Sequence, residues 1–170
     1  MTFPLRLLLL LLLTAPALKA QTLDYRYQSV FIYNFCQYIQ WPQQEQFNEI
    51  TIGVLGNSRV AHQMSQFFTG KSAHARKIVV KAFSSPEELH YTQVLFVPVS
   101  NRNNLPEILQ KVNSQATLLI TEKEGWGQQG SDINFVISEE GKYKFELNQN
   151  AVKKHNLKVS TSISALAILL

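Results

Sequence analysis

The sequence predicts an α/β domain in three layers: a mixed sheet, parallel through the first two-thirds of the chain and antiparallel near the C-terminus, with helices on both faces. Three observations lead there. Between residues 50 and 113, short apolar runs alternate with segments of helical periodicity, and such alternation builds a parallel sheet with right-handed crossovers. Beyond residue 116 the gaps between apolar runs leave no room for a helix, which reads as an antiparallel meander. The chain has 170 residues, 45% of them hydrophobic, enough for one core and too few for two comfortable ones.

The first twenty residues stand apart. Arg6 precedes an unbroken apolar run, Leu7 to Leu13, followed by Thr14, Ala15, Pro16 and Ala17. A charged start, a short apolar stretch and a small-residue exit form a secretory signal peptide. The run is well short of the roughly 20 residues a membrane-spanning helix needs. Cleavage is expected after Ala20, with Ala17 as the competing site, leaving residues 21–170 as a single domain outside the cytoplasm. No cysteine follows either site, so a lipid anchor is not expected. Arg6 and Lys19 leave with the peptide, taking the 16 basic residues against 12 acidic ones from a net +4 to +2. The remaining basic residues are scattered in ones and twos, which argues against a nucleic-acid binder.

The elements follow in order. From Asp24 to Ile39, Tyr27, Val30, Phe31, Asn34, Phe35, Tyr38 and Ile39 recur at spacings of three and four, so this segment is a helix with a wide aromatic stripe. Trp41 and Pro42 close it, because a residue before proline is pushed out of helical geometry. The stripe reads as a core face that can also anchor a partner, as aromatic residues often do. Ile50 to Leu55 is a buried strand ending at Gly56. Asn57 or Ser58 caps a helix to Phe68 with Val60, Met64, Phe67 and Phe68 inward.

Lys77 to Phe83 and Val94 to Val99 are further strands, with a short helical turn at Ser85 to Leu89 between them. Asn104 and Pro106 start a helix to Asn113 whose inner face is Leu105, Ile108, Leu109 and Val112. Ala116 to Thr121, Ile133 to Ile137 and Tyr143 to Leu147 are the meander. Asn148 caps a helix to His155. Leu157 to Ser162 is extended, and the pattern leaves Ser162 to Leu170 open between helix and strand.

The search for chemistry is largely negative. Gly53 to Ser58 joins a strand to a helix start, a place where backbone amides bind anions, but it lacks the third glycine of a dinucleotide fingerprint and the lysine of a P-loop. His62, His74, His90 and His155 sit on different elements without metal-ligand spacing. No serine lies in a nucleophile elbow. Glu122, Glu124 and Asp132 flank a glycine-rich loop, Gly125 to Gly130, and read as a solvated rim. Trp126, between two glycines of that loop, is the more pointed candidate, since an exposed indole is a natural contact. Cys36 is the only cysteine and lies on the apolar side of the first helix. It reads as a buried, inert thiol, and no internal disulfide is possible. No catalytic residue, metal ligand or cofactor is assigned.

An ordered series of residues resembles a known family. The series runs through Phe31 to Phe35, Tyr38 to Pro42, Ile52 to Gly56, Gly70 and Lys71 with Arg76 and Ile78, Leu119 to Thr121, and the Gly125, Gly127, Gly130 loop. It continues through Ile133 to Phe135, Phe145 to Asn148, and Leu157 to Ser160 leading into Leu166 and Ala167. In this order it resembles the YfiR-like family of bacterial periplasmic proteins over roughly Tyr25 to Leu169. The resemblance implies a periplasmic α/β domain without enzymatic activity. In the characterised system such a protein represses an inner-membrane diguanylate cyclase by binding its sensor region, which controls cyclic-di-GMP, biofilm formation and motility. An outer-membrane lipoprotein can sequester the repressor. Members can carry paired cysteines that make repression redox-sensitive, and a chain with only Cys36 departs from that.

Two readings therefore stand side by side. The leading one is a non-enzymatic regulatory protein, expected as a homodimer, whose partner contacts are drawn from Phe31, Tyr38, Trp41 and Trp126. The alternative is a small-molecule module with a pocket at the carboxyl ends of the parallel strands. There the turns after Leu55, Phe83 and Val99 would line the pocket, with Asn57 and Ser58 as donors.

Overall fold

The structure, a computed structural model, describes residues 24–99 and 104–170; the expected signal peptide, 1–20, lies outside them. Helix α1 (Arg26–Tyr38) buries Gln28, Ser29, Ile32, Phe35 and Cys36. The aromatic stripe expected to face the core is therefore split. Phe35 and Ile39 are fully buried, whereas Tyr27, Val30 and Tyr38 are 41%, 44% and 50% exposed. The inward face is turned toward Ile32 and Cys36 because α1 packs against both the sheet and helix α2 (Ser58–Phe68). Burial pushes the Cys36 thiol up to about 12, the inert state expected of it.

The chain leaves α1 through β1 (Ile39–Gln40) and enters β2 (Glu49–Leu55), whose last six residues are all buried. Gly53 is needed there, since a Cβ would meet the Phe83 ring at 2.7 Å. The Asn57 side chain accepts from the Val60 N–H at 3.2 Å and caps α2, a contribution of about 1 kcal/mol. The chain continues through β3 (Ser72–Ala73), β4 (Arg76–Phe83), β5 (Val94–Val97), helix α3 (Leu105–Val112) and β6 (Leu118–Thr121). After β7 (Ile133–Ile137) and β8 (Tyr143–Leu147) come α4 (Gln149–Lys154), β9 (Lys158–Val159), α5 (Thr161–Ser164) and β10 (Ile168–Leu169). The unsettled C-terminal segment thus contains both a helical turn and a strand.

Eight strands form one sheet in the order β10-β8-β7-β6-β5-β2-β4-β3. Helices α1 and α2 cover one face over Ile50, Ile52, Val54, Phe96, Ile120 and Phe135. Helix α3 covers the other over Leu55, Leu95, Val97 and Leu119. The domain has the three layers and the mixed sheet expected of it. A second, two-stranded sheet joins β1 to β9 antiparallel.

One pairing differs from expectation. Strands β6 and β7 are parallel, Ile120 opposite Ile133, and only β7 and β8 form an antiparallel hairpin. The connection from 122 to 132 carries the chain back to the start of the sheet without a helix, shorter than the usual parallel crossover. It folds on itself through backbone bonds from Gln129 to Gly125 and from Ser131 to Trp126. The loop thus takes the place of a crossover helix on the α3 face, and Trp126 is its apolar contact with the sheet.

That return is pinned by buried polar groups. Nδ1 of His155 donates to the Asp132 carboxylate, 2.9 Å from both oxygens, and the Leu119 N–H donates to it at 2.7 Å. Asp132 is 0% and His155 3% exposed. Burial pushes the Asp132 carboxyl above its ordinary value, against the opposing pull of His155 and the Leu119 N–H. Beside it, the Thr121 hydroxyl donates to Asn134 Oδ1 at 2.7 Å and lies 2.9 Å from the Ser131 hydroxyl. Removing the His155 ring leaves the buried Asp132 carboxylate without its side-chain donor. His155→Ala is therefore expected to destabilise the domain by about 3 kcal/mol, read as a lower urea midpoint with an unchanged slope.

Candidate functional site

The parallel strands β5, β6 and β7 deliver their carboxyl ends to one edge of the domain, where the first turn of α1 and the start of β8 meet them. There they enclose a cleft of about 750 Å³, a size that holds a drug-sized ligand. Its apolar wall includes Val99, Phe135, Ile137, Tyr143 and Ile168. Its polar side includes Tyr25, the residue that precedes α1, Gln28 of α1 and five carboxylates: Asp24, Glu122, Glu124, Glu139 and Glu146. No lysine, arginine or histidine lines it among the described residues.

Glu122, the first residue after β6, is the centre of this polar side. Gln28 Nε2 donates to its Oε1 at 2.7 Å, and the Val99 N–H donates to its Oε2 at 3.2 Å. Burial pushes the Glu122 carboxyl up, with the bonds from Gln28 and Val99 acting in the opposite direction. Burial and the facing Glu122 charge raise the Tyr25 phenol in turn, so it stays a neutral hydroxyl. Gln28 is 6% exposed, and among the described residues its Oε1 has no hydrogen-bond partner. Glu146 is differently placed, its oxygens taken by Asn134 at 2.9 Å and Gln128 at 3.0 Å.

The residues singled out from the sequence do not converge on this cleft. Trp126 is 6% exposed and packed in the α3 core, so it is no loop-tip contact; a Lys123 ammonium 5.1 Å over its ring covers it further. Trp41 is 4% exposed, its indole donating to the Gln93 carbonyl at 3.0 Å, and is core as well. Phe31 is half-buried against Phe135 and Phe145. Asn57 is used as a helix cap and Ser58 is exposed beside it, and neither lines the cleft. Of the three strand ends expected to lead into a pocket, Val99 lines the cleft while Leu55 and Phe83 lie elsewhere; the turn after Val99 lies outside the described residues. Tyr38 stands on the exposed stripe of α1.

Glu122 was visible in sequence as a carboxylate beside the glycine-rich loop, though not as a buried one. Gln28 had a weaker signal: it shares helical spacing with Ile32, Phe35 and Ile39, so a polar side chain sits on an inward face. Among the described residues no three acidic, histidine or cysteine side chains gather to hold a metal ion.

Fold and cleft together define a small α/β domain with a ligand-sized opening at its strand ends. A family model described as YfiR/HmsC-like matches residues 25–168, and the chain belongs to that family of periplasmic regulatory proteins. A comparison with curated proteins finds no match. Two solved structures are similar. One is described as a conserved domain protein from Vibrio cholerae, at 13% identity and a TM-score of 0.50. The other is an ABC domain in complex with L-Trp from Streptococcus pneumonia, at 15% identity and a TM-score of 0.53. Each alignment covers 72% of this chain and 55% of the other, so the chain spans just over half the length of either. At these identities the likeness is one of fold.

The buried Glu122 carboxyl carries a pH signature. Its folded value lies above the unfolded one of about 4.3, so its contribution to stability is fully present below that pH and is lost as pH rises through the folded value. Glu122→Gln removes this loss. The melting temperature of the variant relative to the wild type should climb as pH rises above the unfolded value of about 4.3, while the contribution of Asp132 cancels because both proteins carry it.

Proposed function

We propose that this chain is exported, cleaved after Ala20, and acts in the periplasm as a regulatory protein that binds the sensor region of an inner-membrane diguanylate cyclase and represses it. Cyclic-di-GMP level and biofilm formation would follow from that contact, and an outer-membrane lipoprotein that sequesters the protein would relieve it. Family membership supports the regulatory role. The observation that carries a binding mode is the exposed stripe of α1. Tyr27, Val30 and Tyr38 stand in solvent on one side of the helix, and Tyr27 stacks on the exposed Tyr143 with ring centroids 4.7 Å apart. Exposed aromatic residues on a rigid helix are favoured partner anchors. A homodimer would use the same stripe. Among the described residues no helix is long and apolar enough to cross a membrane.

A second reading has its own support in the 750 Å³ cleft at the strand ends, the position at which open α/β sheets take ligands. A neighbour of similar fold is described in complex with L-Trp. A ligand in the cleft would touch the first turn of α1, the helix that carries the exposed stripe, so the two readings are compatible.

Deleting the gene should raise cellular cyclic-di-GMP, and restoring it should lower the level again. Complementation with Val30→Asp should fail although the protein folds and accumulates, because Val30 is already in solvent. Phe31→Asp should fail through unfolding, since it places a charge among Phe35, Phe135 and Phe145. An unchanged cyclic-di-GMP level on deletion would sink the pathway assignment. Mass spectrometry of the periplasmic protein should find Gln21 as its first residue.

A further inference from the structure

Of the arginines among the described residues, Arg26 and Arg59 are exposed and Arg76 is half-buried. Arg76 is the first residue of β4 and lies at the amino ends of the parallel strands, whereas the cleft lies at their carboxyl ends. Its guanidinium ties two turns together. Nε donates to the Phe47 carbonyl at 2.7 Å, Nη1 to the His74 carbonyl at 2.6 Å and Nη2 to the Glu45 carbonyl at 2.7 Å. All three acceptors are neutral. No carboxylate lies within ion-pair distance of Arg76, and all 12 acidic side chains of the sequence fall among the described residues, so its charge has no partner in the chain.

Both turns are held in uncommon backbone. Gln43 in the first, and His74 and Ala75 in the second, have φ of 54°, 50° and 60°, a region that residues other than glycine seldom adopt. Strain of this kind gathers at ligand clamps. Beside the guanidinium is a hollow of about 320 Å³ lined by Arg76, Gln40, Trp41, Gln44 and Glu45. Each Nη carries two N–H groups and gives one to a carbonyl, so one remains on each. Gln44 adds a further donor. The Trp41 N–H donates to its Oε1 at 3.1 Å, which fixes the amide with Nε2 as the unused end. That nitrogen has no partner among the described residues and, unlike Gln28 Oε1, is not sealed from solvent. Two guanidinium N–H groups and an amide N–H match the oxygens of a carboxylate or phosphate, which arginine grips in a bidentate fork.

We propose that this hollow is a binding site for a small oxyanion, a carboxylate or a phosphate, held between the remaining Nη N–H groups of Arg76 and the Gln44 amide. The Glu45 side chain is exposed at the same hollow, and its negative charge lowers the affinity of the site.

Heteronuclear NMR titration of the purified protein reads the site directly. Inorganic phosphate and succinate, each exchanged for chloride at constant ionic strength, should shift the Arg76 Nε–H and Gln44 side-chain signals saturably, and the tighter of the two names the preferred class. Chloride alone should not. Arg76→Lys keeps the charge but loses the fork, and should weaken binding by roughly tenfold. Should that variant melt early, two others decide, because neither side chain belongs to the clamp. Gln44→Ala should weaken binding by roughly fivefold, and Glu45→Gln should tighten it by roughly threefold. Shifts of equal size with chloride, no saturable shift with either anion, or an affinity untouched by both the Gln44 and Glu45 variants would overturn the proposal and leave Arg76 as a clamp of two turns.

Discussion

A carboxylate with no exposed surface has to be matched by donors, and Asp132 is matched by the His155 ring and the Leu119 N–H. That requirement organises the C-terminal half of the domain. It ties the start of β7 to the middle of β6 and to the end of α4, and so holds the two strands parallel. The return loop then lies across the α3 face with Trp126 beneath it. Asn148 closes the arrangement, giving its side-chain N–H to the Gly127 carbonyl at 2.9 Å while its oxygen caps α4. With β7 parallel to β6, the carboxyl ends of β5, β6 and β7 reach the same edge. The cleft exists because of that alignment.

Helix α1 connects the two surfaces on which function is proposed. Tyr25, the residue before it, and Gln28 of its first turn line the cleft, and its outer side presents Tyr27, Val30 and Tyr38 to solvent. Its inner side is locked by Ile32, Phe35 and Cys36 against the sheet and α2. A group bound at Glu122 therefore touches the same rigid element that a partner would grip. Regulation in this family works through contact with other proteins, and a helix that is shared between a ligand cleft and a contact stripe is a direct route for coupling them.

Much of the fold was legible because it is locally encoded. The runs Ile50 to Leu55 and Ile133 to Ile137 are strands in any context that buries them, and Asn57 and Asn148 cap the helices that their positions announce. The direction of β7 was not legible, because an apolar run does not reveal which way it enters a sheet. The sense is set by the Asp132 and His155 pair, 23 residues apart. Trp126 misled for the same reason: flanking glycines mark a loop but not which way the loop folds. The spacing of α1 revealed a helix with an aromatic side. It could not show that a second helix would compete for that side and turn Tyr27 and Tyr38 outward. A pocket at the strand ends was legible, but of its residues only Val99 was, because Gln28 lies 94 residues from the Glu122 carboxylate to which it donates.

The central claim, that this domain acts through a partner gripped by the outer side of α1, is tested most directly by photo-crosslinking in the native cell. A photoreactive phenylalanine would be placed in turn at Tyr38, at Val30 and, as the contrasting position, at the exposed Lys153 on α4. The account predicts adducts with one inner-membrane protein from positions 30 and 38 and none from position 153. Equal crosslinking from all three positions, or a membrane-protein adduct from position 153 alone, would contradict it.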